Sequence, residues 1–144
     1  MSYEREIGKA LDITREAGAL ALEYFNRITP AEEKEDASPV TIADRECERL
    51  ITQRLRRDFP EDGILGEEGS LIPSRSGRRW LIDPIDGTRD FVRRNSFWSV
   101  QLSLQIDARV VLGIINLGWL FPGHKNSTFT IANLKSVYVI LSYH

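Results

Sequence analysis

The chain has 144 residues, 42% of them hydrophobic, and a formal net charge of -2. That is length and apolar content for one domain with a core, with no basic excess to mark a nucleic-acid surface. Cys47 is the sole cysteine, which excludes an intramolecular disulfide and fits a reducing, cytoplasmic setting. Residues 1–9 lack the apolar core of a signal peptide, and the longest apolar stretch, residues 110–120, is too short and too broken by Gly and Asn to span a bilayer.

From Ser2, read as an N-cap with Glu4 in the first turn, Ile7, Ala10, Leu11, Thr14, Ala17, Ala21 and Phe25 recur at helical spacing, which predicts an amphipathic helix ending near Thr29 and Pro30. Residues 31–39 are polar and read as a loop. Thr41 then caps a second helix with Asp44 in its first turn and Leu50, Ile51 and Leu55 on one face, stopping before Phe59. Arg54, Arg56 and Arg57 read as its solvated face. After a turn at residues 61–63, Ile64 and Leu65 begin a short strand into Gly66, Glu67 and Glu68, and residues 71–79, with Pro73 and Gly77, read as a surface loop.

Residues 80–82 form a strand, and residues 87–92 turn into a short helix. Residues 97–106 alternate as a strand, with Trp98, Val100, Leu102, Leu104 and Ile106 on one face, and Asp107 and Ala108 turn into a partner strand over residues 110–117. Two helices followed by antiparallel strands predict an α+β fold, the helices packed on an antiparallel sheet. The end of the chain differs in composition. All 21 acids lie within the first 107 positions, and residues 108–144 hold none, along with both histidines, His124 and His144.

The chemistry is concentrated in Asp83, Pro84, Ile85, Asp86, Gly87 and Thr88. Asp83 and Asp86 converge at a strand end, and Glu67 adds a third carboxylate if its strand lies beside that of Trp80. Hard oxygen ligands of this kind suit Mg2+. Pro84 has no N–H, and the Ile85 carbonyl is free to serve as a further ligand. Gly87 lets the backbone approach an anion, at which the following helix would aim its N–H groups. Asp-Gly alone is an ordinary turn, and Glu67 with Glu68 alone an ordinary acidic loop; together they place like charges that repel unless a cation sits between them. A haloacid-dehalogenase signature would need a nucleophilic Asp two residues before Asp86, where Pro84 stands, so water is the expected attacker.

Those residues, with Gly66-Glu67-Glu68 before them and Ser38-Pro39-Val40-Thr41-Ile42-Ala43-Asp44 earlier still, resemble the ordered motifs of the inositol monophosphatase family of Mg2+-dependent, lithium-sensitive phosphatases. The resemblance covers residues 3–116, with residues 109–115 similar to a family strand pair, and implies the N-terminal part of that family's layered α/β sandwich. It implies that Glu67, Asp83 and the Ile85 carbonyl hold one metal and that Asp83 and Asp86 share a second. Glu67 and Thr88 would position and help deprotonate the attacking water, and the backbone of Gly87 and Thr88 would receive the phosphate. Asp44 would act on a weaker third metal or on the nucleophile. The implied substrate is a small phosphorylated metabolite such as inositol monophosphate. Residues 89–95 resemble a segment of 3'(2'),5'-bisphosphate nucleotidases, and histidinol-phosphate phosphatases share the core motifs, so both stay open as alternatives. So does a remnant that binds cations or a partner without turnover. Neither a nucleic-acid polymer nor a membrane is expected as partner; a homodimer is one way to cover the sheet edge and apolar face that a half-length family fold would leave open.

The chain also departs from the family. Members are longer, and a Trp-Asp motif completes their second metal site; none of Trp80, Trp98 and Trp119 precedes Asp. The expectation is a truncated family domain over residues 1–116 and a divergent tail over residues 117–144, of frameshifted or otherwise non-native origin. A short homologue whose tail is a strand pair, such as residues 129–131 and 137–141, is the alternative.

Overall fold

The computed structural model describes residues 2–27, 32–33, 39–117, 127–132 and 138–142. Two helices, α1 (Glu4–Phe25) and α2 (Ile42–Asp58), pack against each other and against one face of a seven-stranded sheet. The strands are β3 (Gly63–Gly66), β4 (Leu71–Ile72), β5 (Arg78–Asp86), β6 (Ser99–Ile106), β7 (Arg109–Leu117), β8 (Ser127–Ala132) and β9 (Tyr138–Ser142), in the order β4-β3-β5-β6-β7-β8-β9. A separate two-stranded ladder joins β1 (Glu32–Glu33) and β2 (Pro39–Val40), and a short helix α3 (Thr88–Val92) follows β5. Every pairing in the large sheet is antiparallel except β3 with β5, which run parallel. Among the described residues no helix is long and apolar enough to cross a membrane.

The helix-facing side of the sheet is the core. Ile64, Trp80, Ile82, Val100, Leu102, Leu104, Leu112 and Ile114 bury against Ala10, Ile13 and Ala17 of α1 and Ile51 and Leu55 of α2. Small residues on α1 permit this approach: a methyl group on Gly18 would meet the side chain of the buried Asn116. Trp80 packs on Phe59 at 5.2 Å between ring centres and donates its indole N–H to Asp62 Oδ2 at 3.0 Å, so its one polar atom is satisfied inside the core.

Several sequence expectations shift. The cap of α1 is Tyr3, which makes no side-chain capping bond, rather than Ser2; Tyr3 packs against the core instead. The helix ends at Phe25, where the Asn26 N–H donates to the Leu22 carbonyl and the Arg27 N–H to that of Tyr24, four residues before Thr29; Thr29 and Pro30 lie outside the described residues. Of the loop expected over residues 31–39, positions 31 and 34–38 also lie outside them, and its flanks are β1 and β2. The surface loop expected over 71–79 begins as β4, paired with β3, and β5 starts at Arg78, where the guanidinium finds Glu6 and Asp62. Asp107 and Ala108 both take positive φ (48 and 59), as a two-residue hairpin turn requires. In the tail, β8 and β9 extend the sheet beyond β7, while residues 118–126, 133–137 and 143–144 lie outside the described residues.

Candidate metal and phosphate centre

The sheet register brings the predicted carboxylates together. In the parallel pair Leu65 stands opposite Leu81 and Gly66 opposite Ile82, and the Glu67 N–H donates to the Ile82 carbonyl at 3.1 Å. Glu67 therefore emerges beside Asp83, each two residues beyond a leucine on the helix-free face.

Asp83 and Asp86 are three apart, a spacing that in a regular strand would point them to opposite faces. A bulge removes the conflict: Asp83 pairs with Gln101 and Asp86 with Ser99, so Pro84 and Ile85 together face Val100 alone. One extra residue turns Asp86 back to the side of Asp83. Pro84, with no N–H to place in a ladder, suits that position.

Glu67 and Asp86 both lie within side-chain hydrogen-bond reach of Asp83. Burial, then Glu67, then Asp86 push the Asp83 carboxyl up to about 8. Asp83 Oδ1 is buried with no donor facing it, since its neighbours are acceptors. Asp86 accepts from Gln101 Nε2 at 2.9 Å. A crowded set of oxygen acceptors with an undonated buried oxygen fits a hard divalent cation. Glu67 and Asp86 are exposed at their tips, and among the described residues no three such side chains already stand as a closed cluster. The set is open, with Asp83 as its hub.

The second wall comes from the N-terminus of α2. Thr41 and Asp44 form a capping box: Thr41 Oγ1 accepts the Asp44 N–H at 3.1 Å, while Asp44 Oδ2 accepts the Thr41 N–H at 3.1 Å and its hydroxyl at 2.5 Å. Asp44 Oδ1 faces Thr88 Oγ1 at 3.2 Å, and that hydroxyl also lies 3.0 Å from the Ile85 carbonyl. The buried Asp44 thus reaches the end of the Asp83–Thr88 motif through Thr88. Between them Gly87 takes φ 84, and a methyl group there would strike the Phe97 carbonyl, so glycine is required both for conformation and for space. Cys47, one turn along α2, is inert: burial first, then Asp44 and Glu46, push its thiol up to about 12.

Each predicted residue, Asp44, Glu67, Asp83, Ile85, Asp86, Gly87 and Thr88, lies at one end of the β3–β5 pair or at the α2 terminus facing it. Glu67 and Asp83 also close one end of an open groove of about 600 Å³ along the helix-free face, floored by Leu65, Leu81, Gln101 and Ile115. Two residues gave no such signal. Gln101 was legible only as one polar position in an alternating strand. Glu48 accepts backbone N–H groups of the Glu67 turn, and only its position four after Asp44, on a face shared with Ile51 and Leu55, hinted at burial.

Comparison with known proteins agrees with this geometry. The sequence profile described as the Inositol monophosphatase family matches residues 4–136. A histidinol-phosphatase of Chlorobaculum parvum is 43% identical over 122 residues, covering 82% of this chain and 47% of that protein. A 3'(2'),5'-bisphosphate nucleotidase of Aggregatibacter actinomycetemcomitans is 36% identical over 110 residues, 74% of this chain and 41% of that one. The solved structure of an IMPase of Thermotoga maritima superposes with a TM-score of 0.82 at 29% identity, covering 96% of this chain and 51% of the other. The chain spans about half the length of the relatives it matches.

Proposed function

Because the chain belongs to the inositol monophosphatase family, and its relatives include a protein named histidinol-phosphatase and one named 3'(2'),5'-bisphosphate nucleotidase, we propose that it serves Mg2+-dependent hydrolysis of a small phosphomonoester. The strongest support is the Asp83 corner: Glu67 and Asp86 flank a buried Asp83 whose Oδ1 no donor satisfies, beside the Ile85 carbonyl and a glycine turn. Glu67, Asp83, Asp86 and the Ile85 carbonyl would hold the cation. When bound, Mg2+ supplies positive charge against phosphate oxygens and lowers the pKa of water.

The chain's own residues then have distinct tasks. Asp44 and the Ile85 carbonyl compete for the single Thr88 hydroxyl proton, which leaves the Thr88 oxygen lone pairs turned outward to accept a hydrogen bond from water and so orient it. Glu67, exposed and facing the same corner, is the carboxylate that would take the water's proton. The left-handed turn at Gly87 brings the Gly87 and Thr88 backbone within reach of a phosphate. Charge stabilisation and placement are what phosphoryl transfer asks of a protein.

On substrate, the 43%-identical relative is named for histidinol phosphate, which makes that ester the first to test, beside inositol monophosphate and an adenosine bisphosphate. Phosphate release is measured from each with Mg2+, and with the cation chelated. The expected result is release from at least one ester, lost on chelation and abolished in Asp83→Asn. Cation binding without release from any ester would make the chain a binding module without turnover. Release persisting in Asp83→Asn would refute the assignment of this site.

A further inference from the structure

We propose that Glu48 is the positioning residue for Glu67: helix α2 uses this buried carboxylate to fix the 66–70 turn, and so sets where Glu67 meets Asp83. The inference rests on the phosphatase reading above and deepens it. Glu48 is 2% exposed and sits one helical turn after Asp44. Its Oε2 accepts the Glu68 N–H at 2.7 Å and its Oε1 the Ser70 N–H at 2.8 Å, so both oxygens are engaged by backbone donors on the far side of Glu67. A further turn along the helix, Thr52 Oγ1 lies 3.1 Å from Ser70 Oγ.

Gly66 shows how closely the two parts are fitted. A methyl group on Gly66 would run into the Glu48 carboxylate, yet its φ is not positive, so glycine is needed there for room and not for conformation. Glu67 is thus flanked by a residue packed on Glu48 and a residue hydrogen-bonded to it, while its own N–H is tied to β5 through the Ile82 carbonyl. Asp44 and Glu48, four apart on one helix face, hold the two walls of the centre: Asp44 the Thr88 turn, Glu48 the Glu67 turn. The hydrogen bonds of the Glu48 carboxylate go to Glu68 and Ser70 and not to a predicted cation ligand, so it acts through the turn.

The experiment compares the wild-type chain with Glu48→Gln, Glu67→Gln and the double variant. Glutamine keeps the volume but offers one acceptor oxygen where two N–H groups need acceptors. Mg2+ affinity is read by titration calorimetry, folding by circular dichroism, and the turn by amide hydrogen exchange at Glu68 and Ser70. Glu48→Gln is expected to speed exchange at both amides and to weaken Mg2+ binding about tenfold, the scale of loss when a group that orients a ligand is removed. The double variant should bind within about twofold of Glu67→Gln alone, because Glu48 has no route to the cation except Glu67. Wild-type affinity in folded Glu48→Gln, or additive losses in the double variant, would overturn the proposal and leave Glu48 a turn cap. Should Glu48→Gln not fold, Gly66→Ala displaces the same carboxylate from the opposite side; a tenfold loss supports the proposal and unchanged affinity overturns it. A wild-type chain that binds no Mg2+ overturns the phosphatase reading itself, and this inference with it.

Discussion

Asp83 carries two opposed demands. A carboxylate that is to hold a cation must be ionised, yet burial together with Glu67 and Asp86 pushes it up to about 8 in the cation-free chain. An acid whose folded pKa lies above its ordinary value of 3.8 binds its proton more tightly when folded, so folding gives up stability as pH rises between the two values. The cation-free protein is therefore expected to melt at a lower temperature at pH 8.5 than at pH 5.5, and Asp83→Asn should flatten that slope; a thermal melt series in chelator reads both. Adding Mg2+ at the higher pH should restore stability by about 2.7 kcal/mol at a hundredfold excess over its Kd. A second residue-scale expectation concerns Gly87. Alanine there must hold φ 84 and displace the Phe97 carbonyl, so Gly87→Ala should cost more than about 1 kcal/mol in urea unfolding. Most of this centre was legible in the sequence, because Glu67, Asp83, Asp86, Gly87 and Thr88 sit in short runs whose chemistry needs no knowledge of the fold.

At the scale of elements, local signals and tertiary signals separate. The α2 cap was legible because Thr41 and Asp44 satisfy each other within one turn. Removing the hydroxyl by Thr41→Ala should cost about 1 to 2 kcal/mol, while Ser2→Ala, exposed and not a cap, should change stability by less than about 0.5 kcal/mol, both by urea titration. The bulge at Pro84 and Ile85 was not legible in the same way. Asp83 and Asp86 come to one side only because β6 supplies Gln101 and Ser99 as their partners, and no property of residues 83–86 names that partner. Glu48 and Gln101 were missed for the same reason: each matters through a neighbour distant in sequence.

For the whole molecule, the one-sided sheet is the dominant fact. Helices cover the face of Trp80, Leu102 and Ile114, while Leu65, 40% exposed, and its neighbour Leu81 lie along the open groove on the other. The native chain is expected to bind an apolar-surface dye, and Leu81→Lys to reduce the fluorescence gain without lowering the melting temperature. Strand alternation was plain in residues 97–106, but the strand order was not, since the pairing of β3 with β5 skips over β4. That pairing has a practical corollary for rebuilding the protein. Because β3 and β5 run the same way, Glu67 and Asp83 stand together at one end of the pair, and the far part of the connection, residues 73–76, plays no part in their separation. Extra residues spliced into the exposed stretch 73–76 should therefore leave Mg2+ affinity intact, whereas a single residue added between Ile64 and Leu65 would carry Glu67 to the wrong face of the sheet. The two acids keep their alignment by strand direction, so the chain offers a site for grafting a loop or a tag within a few residues of its most sensitive chemistry.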